Sequence, residues 1–85
     1  MKNTISVKQL GLDEAYLLLP KDEKEMCCIT IVEAALKHMK QPPTKKEKIE
    51  FMRMILTRSI EILEPQEEFE NCQILLDLKN ALDLI

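Results

Sequence analysis

Residues 42–65 read PPTKKEKIEFMRMILTRSIEILEP, and this stretch decides the fold. Pro42-Pro43 stops whatever precedes it, because proline has no amide proton and forces the residue before it out of helical geometry. Thr44 and Glu47 stand at the spacing of a capping box, immediately before a periodic apolar run. Ile49, Met52, Leu56, Ser59, Ile60 and Leu63 fall on one face of a helix that begins at about Lys45. Phe51, Ile55 and Ile62 mark an adjoining face. With so much of its circumference apolar, this is expected to be the central helix. Pro65 then fits the first turn of a further helix, whose opening carries Glu67, Glu68 and Glu70 where the helix dipole favours negative charge. Phe69, Cys72, Leu75, Leu76, Leu78, Leu82 and Ile85 give that helix an apolar face reaching the last residue, so the C-terminus is expected to dock rather than fray.

On the N-terminal side of the break, residues 20–41 form another helical pattern. Asp22, Glu23 and Glu25 crowd its start, and Lys37, His38 and Lys40 its end, both signs matching the dipole. Met26, Ile29, Val32, Leu36 and Met39 keep to one face, which Cys28, Ile31 and Ala35 widen. The β-branched run Ile29 to Val32 also suits a strand, but length and charge placement decide for helix. Further back, Ser6 and Gln9 again have capping-box spacing, Gly11 interrupts, and Asp13-Glu14 reads as a second start that Pro20 ends. Leu17 to Leu19 are short enough to be helical or extended. The expectation is an all-α bundle of three long helices plus one short N-terminal helix, in a single domain over residues 1–85.

Composition agrees. A chain of 85 residues is too short for two cores, and 46% apolar with 32% charged residues lies in the globular range. The single glycine, Gly11, leaves no material for phosphate-binding loops or tight hairpins. Three cysteines, two of them adjacent, do not make a disulfide framework; Cys27, Cys28 and Cys72 read as buried thiols in a reducing compartment, and the localisation expected is cytoplasmic. No apolar run is long enough for a signal peptide or a membrane span.

The chemistry-bearing residues are few. His38 is the only imidazole, and along one helix it lies about 16 Å from Cys27, too far for a catalytic pair. Cys and His spacings do not fit zinc, and the carboxylate clusters Asp22/Glu23/Glu25 and Glu64/Glu67/Glu68 occupy helix starts, where dipole compensation accounts for them. No enzymatic activity, metal or cofactor is expected.

Charge is unevenly spread. The net charge of −3 hides a basic segment, residues 41–60, followed by an acidic one, residues 61–85. Lys45, Lys46, Lys48 and Arg53 could contact phosphate, which makes a DNA-binding regulator the alternative function. The Pro-Pro break and the acids Glu47 and Glu50 inside the would-be reading helix speak against it. Tyr16, Phe51 and Phe69 are the only aromatics, and the latter two fall in core stripes, so no stacking platform is expected. The preferred function is binding to another protein, or to a second copy of this chain. The expected contact face is Phe51, Met54, Ile55, Arg58 and Ile62, with the acidic C-terminal helix as electrostatic rim.

Overall fold

The computed structural model describes residues 4–85, and among them the regular structure is entirely helical. A 3-10 turn at Lys8–Leu10 leads into the short α1 (Glu14–Leu17), followed by α2 (Lys21–His38), α3 (Lys45–Leu63) and α4 (Phe69–Ala81). Further 3-10 turns extend α3 at Glu64–Gln66 and α4 at Leu82–Leu84. The expected three long helices and one short one are therefore present. No helix is long and apolar enough to cross a membrane among the described residues.

Local chemistry sets the helix starts. Ser6 and Gln9 make the reciprocal pair expected of them: the Gln9 amide donates to Ser6 Oγ at 3.3 Å, and the Ser6 amide to Gln9 Oε1 at 2.7 Å. The turn they enclose ends at Gly11, whose φ of 75° only glycine adopts without strain. Asp13 caps α1 by accepting the Ala15 amide at 2.9 Å. Pro20, extended, lends its carbonyl to the Lys24 amide and opens α2. Thr44 opens α3 by accepting the Glu47 amide at 3.2 Å, while its own hydroxyl donates to the Glu47 carboxylate at 2.7 Å.

The start of α4 differs from expectation. Pro65 lies in the 3-10 turn that prolongs α3, and the new helix begins only at Phe69, so of the three acids only Glu70 sits in its first turn. The intervening corner is a Schellman motif. The Glu68 amide reaches back to the Leu63 carbonyl (3.4 Å) and the Glu67 amide to that of Glu64 (3.0 Å), with Glu67 left-handed at φ 58°. Proline can continue a tightening turn, where its missing donor is no loss, as readily as it can begin a helix.

Packing also corrects the expected hierarchy. The central helix is α4, which lies against both α3 and α2, whereas those two touch each other little. Its Leu75 and Leu78 are wholly buried, with Ile74, Ala81 and Leu82 nearly so. Against them α3 sets Met52, Leu56 and Ser59, and α2 sets Cys28, Val32 and Leu36. Met26, expected in the α2 stripe, is exposed; it lies about 120° round the helix from the middle of the buried set. Val7, Leu12 and Tyr16 close the core from the N-terminal side, and Ile85 packs against its edge, so the C-terminus docks as expected. Leu84 in the last turn stays exposed.

The two phenylalanines do not take the core positions expected of them. Tyr16 is the buried one, while Phe51 is half-buried and Phe69 is exposed.

Candidate functional site

On α4 the buried residues Ile74, Leu75, Leu78, Ala81 and Leu82 define one side. At about 100° per residue, Phe69 and Leu76 then fall on the opposite side. Phe69 is accordingly 65% exposed. On α3 the stripe of Phe51, Ile55 and Ile62 stands at roughly a right angle to the buried one, and Ile62 near its end is 46% exposed. The Schellman corner brings these two side chains to the mouth of one groove of about 1180 Å³, between residues 4–17 and the α3–α4 junction. Ile5, Leu17, Leu63 and Ile74 contribute its apolar lining.

Two polar anchors hold the N-terminal wall. Ser59 is buried on α3; its hydroxyl donates to the Ile55 carbonyl at 2.8 Å and accepts the Ile5 amide at 2.8 Å, tying the lead-in strand of chain to α3. Tyr16 ties α1 to α2 and α4. Its hydroxyl donates to Asp77 Oδ2 at 2.8 Å and lies 3.0 Å from Cys28 Sγ, and Gln73 steadies the other Asp77 oxygen at 2.9 Å. Because the one phenolic proton goes to Asp77, the thiol proton is left for the Tyr16 oxygen. Burial, then the hydrogen bonds to Cys28 and Asp77, pushes the phenol well above its ordinary value, and burial likewise raises the Cys28 thiol. The pair is a structural clamp, protonated throughout the neutral range. Lys24 lies 5.8 Å over the ring centre and shields its outer face.

The rim of the groove is acidic. Asp13 and Glu14 stand on the α1 side and Glu67, Glu68 and Glu70 on the corner side, with Lys8 the single lining cation among the described residues. None of these acids has a cation within ion-pair distance among the described residues; the two ion pairs there both belong to Arg53, which meets Glu50 at 2.9 Å and Asp83 at 2.7 Å.

The residues expected to form the contact face divide. Phe51, Met54 and Ile55 are half-buried and Arg58 is exposed, all away from the groove, and Ile62 alone belongs to it. Met54 and Arg58 border a separate shallow depression of about 390 Å³ with Glu50, Arg53, Thr57 and Glu61. Of the basic set, Lys45 and Lys46 are exposed, Lys48 is half-buried, and Arg53 is engaged by its two carboxylates. Phe69 and the N-terminal wall are the components that sequence reasoning missed. The buried set Ile74, Leu75, Leu78, Ala81 and Leu82 is centred on Leu78, which turns Phe69 outward.

The thiols are not uniformly buried as expected. Cys28 is, but Cys27 and Cys72 are half-buried, because neither falls on the inner side of its helix. Partial burial, then Glu64 and Glu68 nearby, holds the Cys72 thiol above its ordinary value, which keeps it a poor nucleophile at neutral pH. His38 is exposed at the end of α2. Among the described residues no three His, Cys, Asp or Glu side chains gather as a metal site would require. Compared with protein-family models, curated proteins and solved structures, the chain matches none.

Proposed function

We propose that this chain is a small non-catalytic helical protein that acts by binding another protein. The observation that carries the proposal is the exposure of Ile62 and Phe69 together at the mouth of one groove; the other exposed large apolar side chains, Leu18, Met26, Leu76 and Leu84, do not line it. Two large apolar side chains left in water beside a concave surface lose hydration cost only when something covers them. The half-buried Phe51, Met54 and Ile55 extend an apolar flank along α3, outside the groove. Three unpaired thiols suit a reducing, cytoplasmic setting.

Binding of nucleic acid through Lys45, Lys46, Lys48 and Arg53 has less support. Arg53 is committed to Glu50 and Asp83, and Lys45, Lys46 and Lys48 line neither the groove nor the shallow depression on α3.

The test is site-directed photocrosslinking in the protein's native cells. A photoreactive side chain at position 69 should give an adduct of discrete mass with another protein, whereas one at Ala34, exposed on α2, should not. Equal labelling from both positions, or none from position 69, would remove the proposal.

A further inference from the structure

We infer that the groove at the α3–α4 corner takes a basic amphipathic segment of a partner protein, with apolar side chains on Ile62 and Phe69 and Lys or Arg facing the acidic rim. This rests on the protein-binding function proposed above and names the chemistry of the partner. The groove joins two features that together define an occupant. Its floor is apolar, and its rim carries Glu67, Glu68, Glu70, Asp13 and Glu14 against Lys8, the one lining cation among the described residues. The three corner acids fall within four residues and have no ion pair among the described residues, where Glu68 accepts only the neutral Asn71 amide at 3.1 Å, so negative charge is concentrated at the corner. An incoming cation gains from all three at once, and does so beside low-dielectric apolar surface.

Other occupants fit less well. An anionic membrane or a nucleic-acid backbone would meet like charge. A drug-sized ligand fills pockets of roughly 300 to 1,000 Å³ that enclose it, whereas this groove measures about 1180 Å³ and opens to solvent. A second copy of this chain could offer its own basic corner, Lys37 to Lys48, but none of the exposed large apolar side chains lies there, so it would satisfy the rim and leave the floor empty. A helix with leucines at i, i+3, i+4 and i+7 and lysines flanking them satisfies both.

Fluorescence anisotropy with labelled synthetic peptides of about 14 residues, some four helical turns, tests this directly. A Leu/Lys amphipathic peptide should bind at about 0.15 M salt and weaken as salt is raised, while Leu/Glu and Ser/Lys counterparts should bind at least about tenfold more weakly. The triple variant Glu67→Gln, Glu68→Gln, Glu70→Gln should lose about tenfold in affinity, and so should Phe69→Ser; all four positions are exposed, and circular dichroism is the check that the variants fold. Removing the same charge from the start of α2, by Asp22→Asn, Glu23→Gln and Glu25→Gln, should change nothing.

Equal loss in the α2 variant would reduce the binding to net-charge attraction and overturn the inference. A Leu/Glu peptide that binds as tightly, in a Phe69-dependent manner, would overturn the basic partner while leaving the groove as a protein-binding site. Sedimentation showing a dimer that Phe69→Ser dissociates would assign the groove to a second copy instead. If no peptide binds, the inference fails, and crosslinking from position 69 still decides the broader function by itself.

Discussion

The two corners at the ends of α3 are built from similar parts and differ in what they leave in water. At one end, Pro42-Pro43 and Thr44 join α2 to α3 amid Lys37, Lys40, Lys45 and Lys46; at the other, about 28 Å away along the helix, Pro65 and Glu67 join α3 to α4 amid Glu64, Glu68 and Glu70. The basic corner is locally settled. Lys37 meets the C-terminal end of α2, Thr44 and Glu47 satisfy each other, and no large apolar residue is exposed there. The acidic corner is held by a non-glycine residue in left-handed geometry and displays Ile62 and Phe69 beside a groove. Charge at a helix end of opposite polarity serves the fold; charge bordering uncovered apolar surface marks a place for a partner.

The contrast disappears if the support common to both corners is removed. Leu75→Ala opens a cavity at a wholly buried position of α4 and should destabilise the protein by about 2 to 5 kcal/mol, measured by urea unfolding. Hydrogen exchange should then rise at both corners together. A rise confined to one would mean that α4 does not hold them jointly.

Tyr16→Phe acts on the groove side only. It deprives Asp77 of a charge-assisted hydrogen bond and frees the α1 wall, at a cost of about 1.5 to 3 kcal/mol. It also changes the pH profile. Tyr16 and Cys28 hold their protons to higher pH when folded than when unfolded, so the native state binds more protons in that range and stability falls as pH rises. The stability they contribute is complete below the ordinary thiol value of 9.0 and declines above it, more steeply past the ordinary phenol value of 10.0. In Tyr16→Phe the decline above pH 10 should flatten; an unchanged profile would show that the phenol is not the group being titrated.

Ser59→Ala leaves the Ile5 amide without its acceptor and should cost about 1 to 3 kcal/mol, with exchange of that amide accelerated and the basic corner unaffected. The smallest effects should have opposite signs at the two ends. Thr44→Ala removes a cap and should destabilise by about 1 kcal/mol, whereas Glu67→Gly relieves left-handed strain and should stabilise by about the same amount. Destabilisation by Glu67→Gly would show that its side chain contributes more to the corner than its backbone strain removes.

Much of the fold was legible because short-range chemistry writes it. The capping pairs Ser6/Gln9 and Thr44/Glu47, the break at Pro42-Pro43 and the acidic start of α2 lie within a few residues of what they control. Pro65 was less legible, since both the end of α3 and the start of α4 can accommodate a residue without an amide proton. The candidate site was legible only in part. Ile62 stands out on an adjoining apolar stripe, but Phe69 reads as core, because an apolar residue at helical spacing carries no mark of the side it faces.

Residue order alone fixes where α2 and α3 begin, that the long helices are amphipathic, and that charge separates along the last two. Only the tertiary structure decided that the shortest of the long helices lies in the middle, that Tyr16 rather than a phenylalanine is enclosed, and that Ile62 and Phe69 share one groove. The physical reason is rotational. Each apolar stripe here is wider than the contact it can make, so the phase at which a helix settles is chosen by the neighbours competing to cover it, and whatever they fail to cover becomes the surface left for a partner.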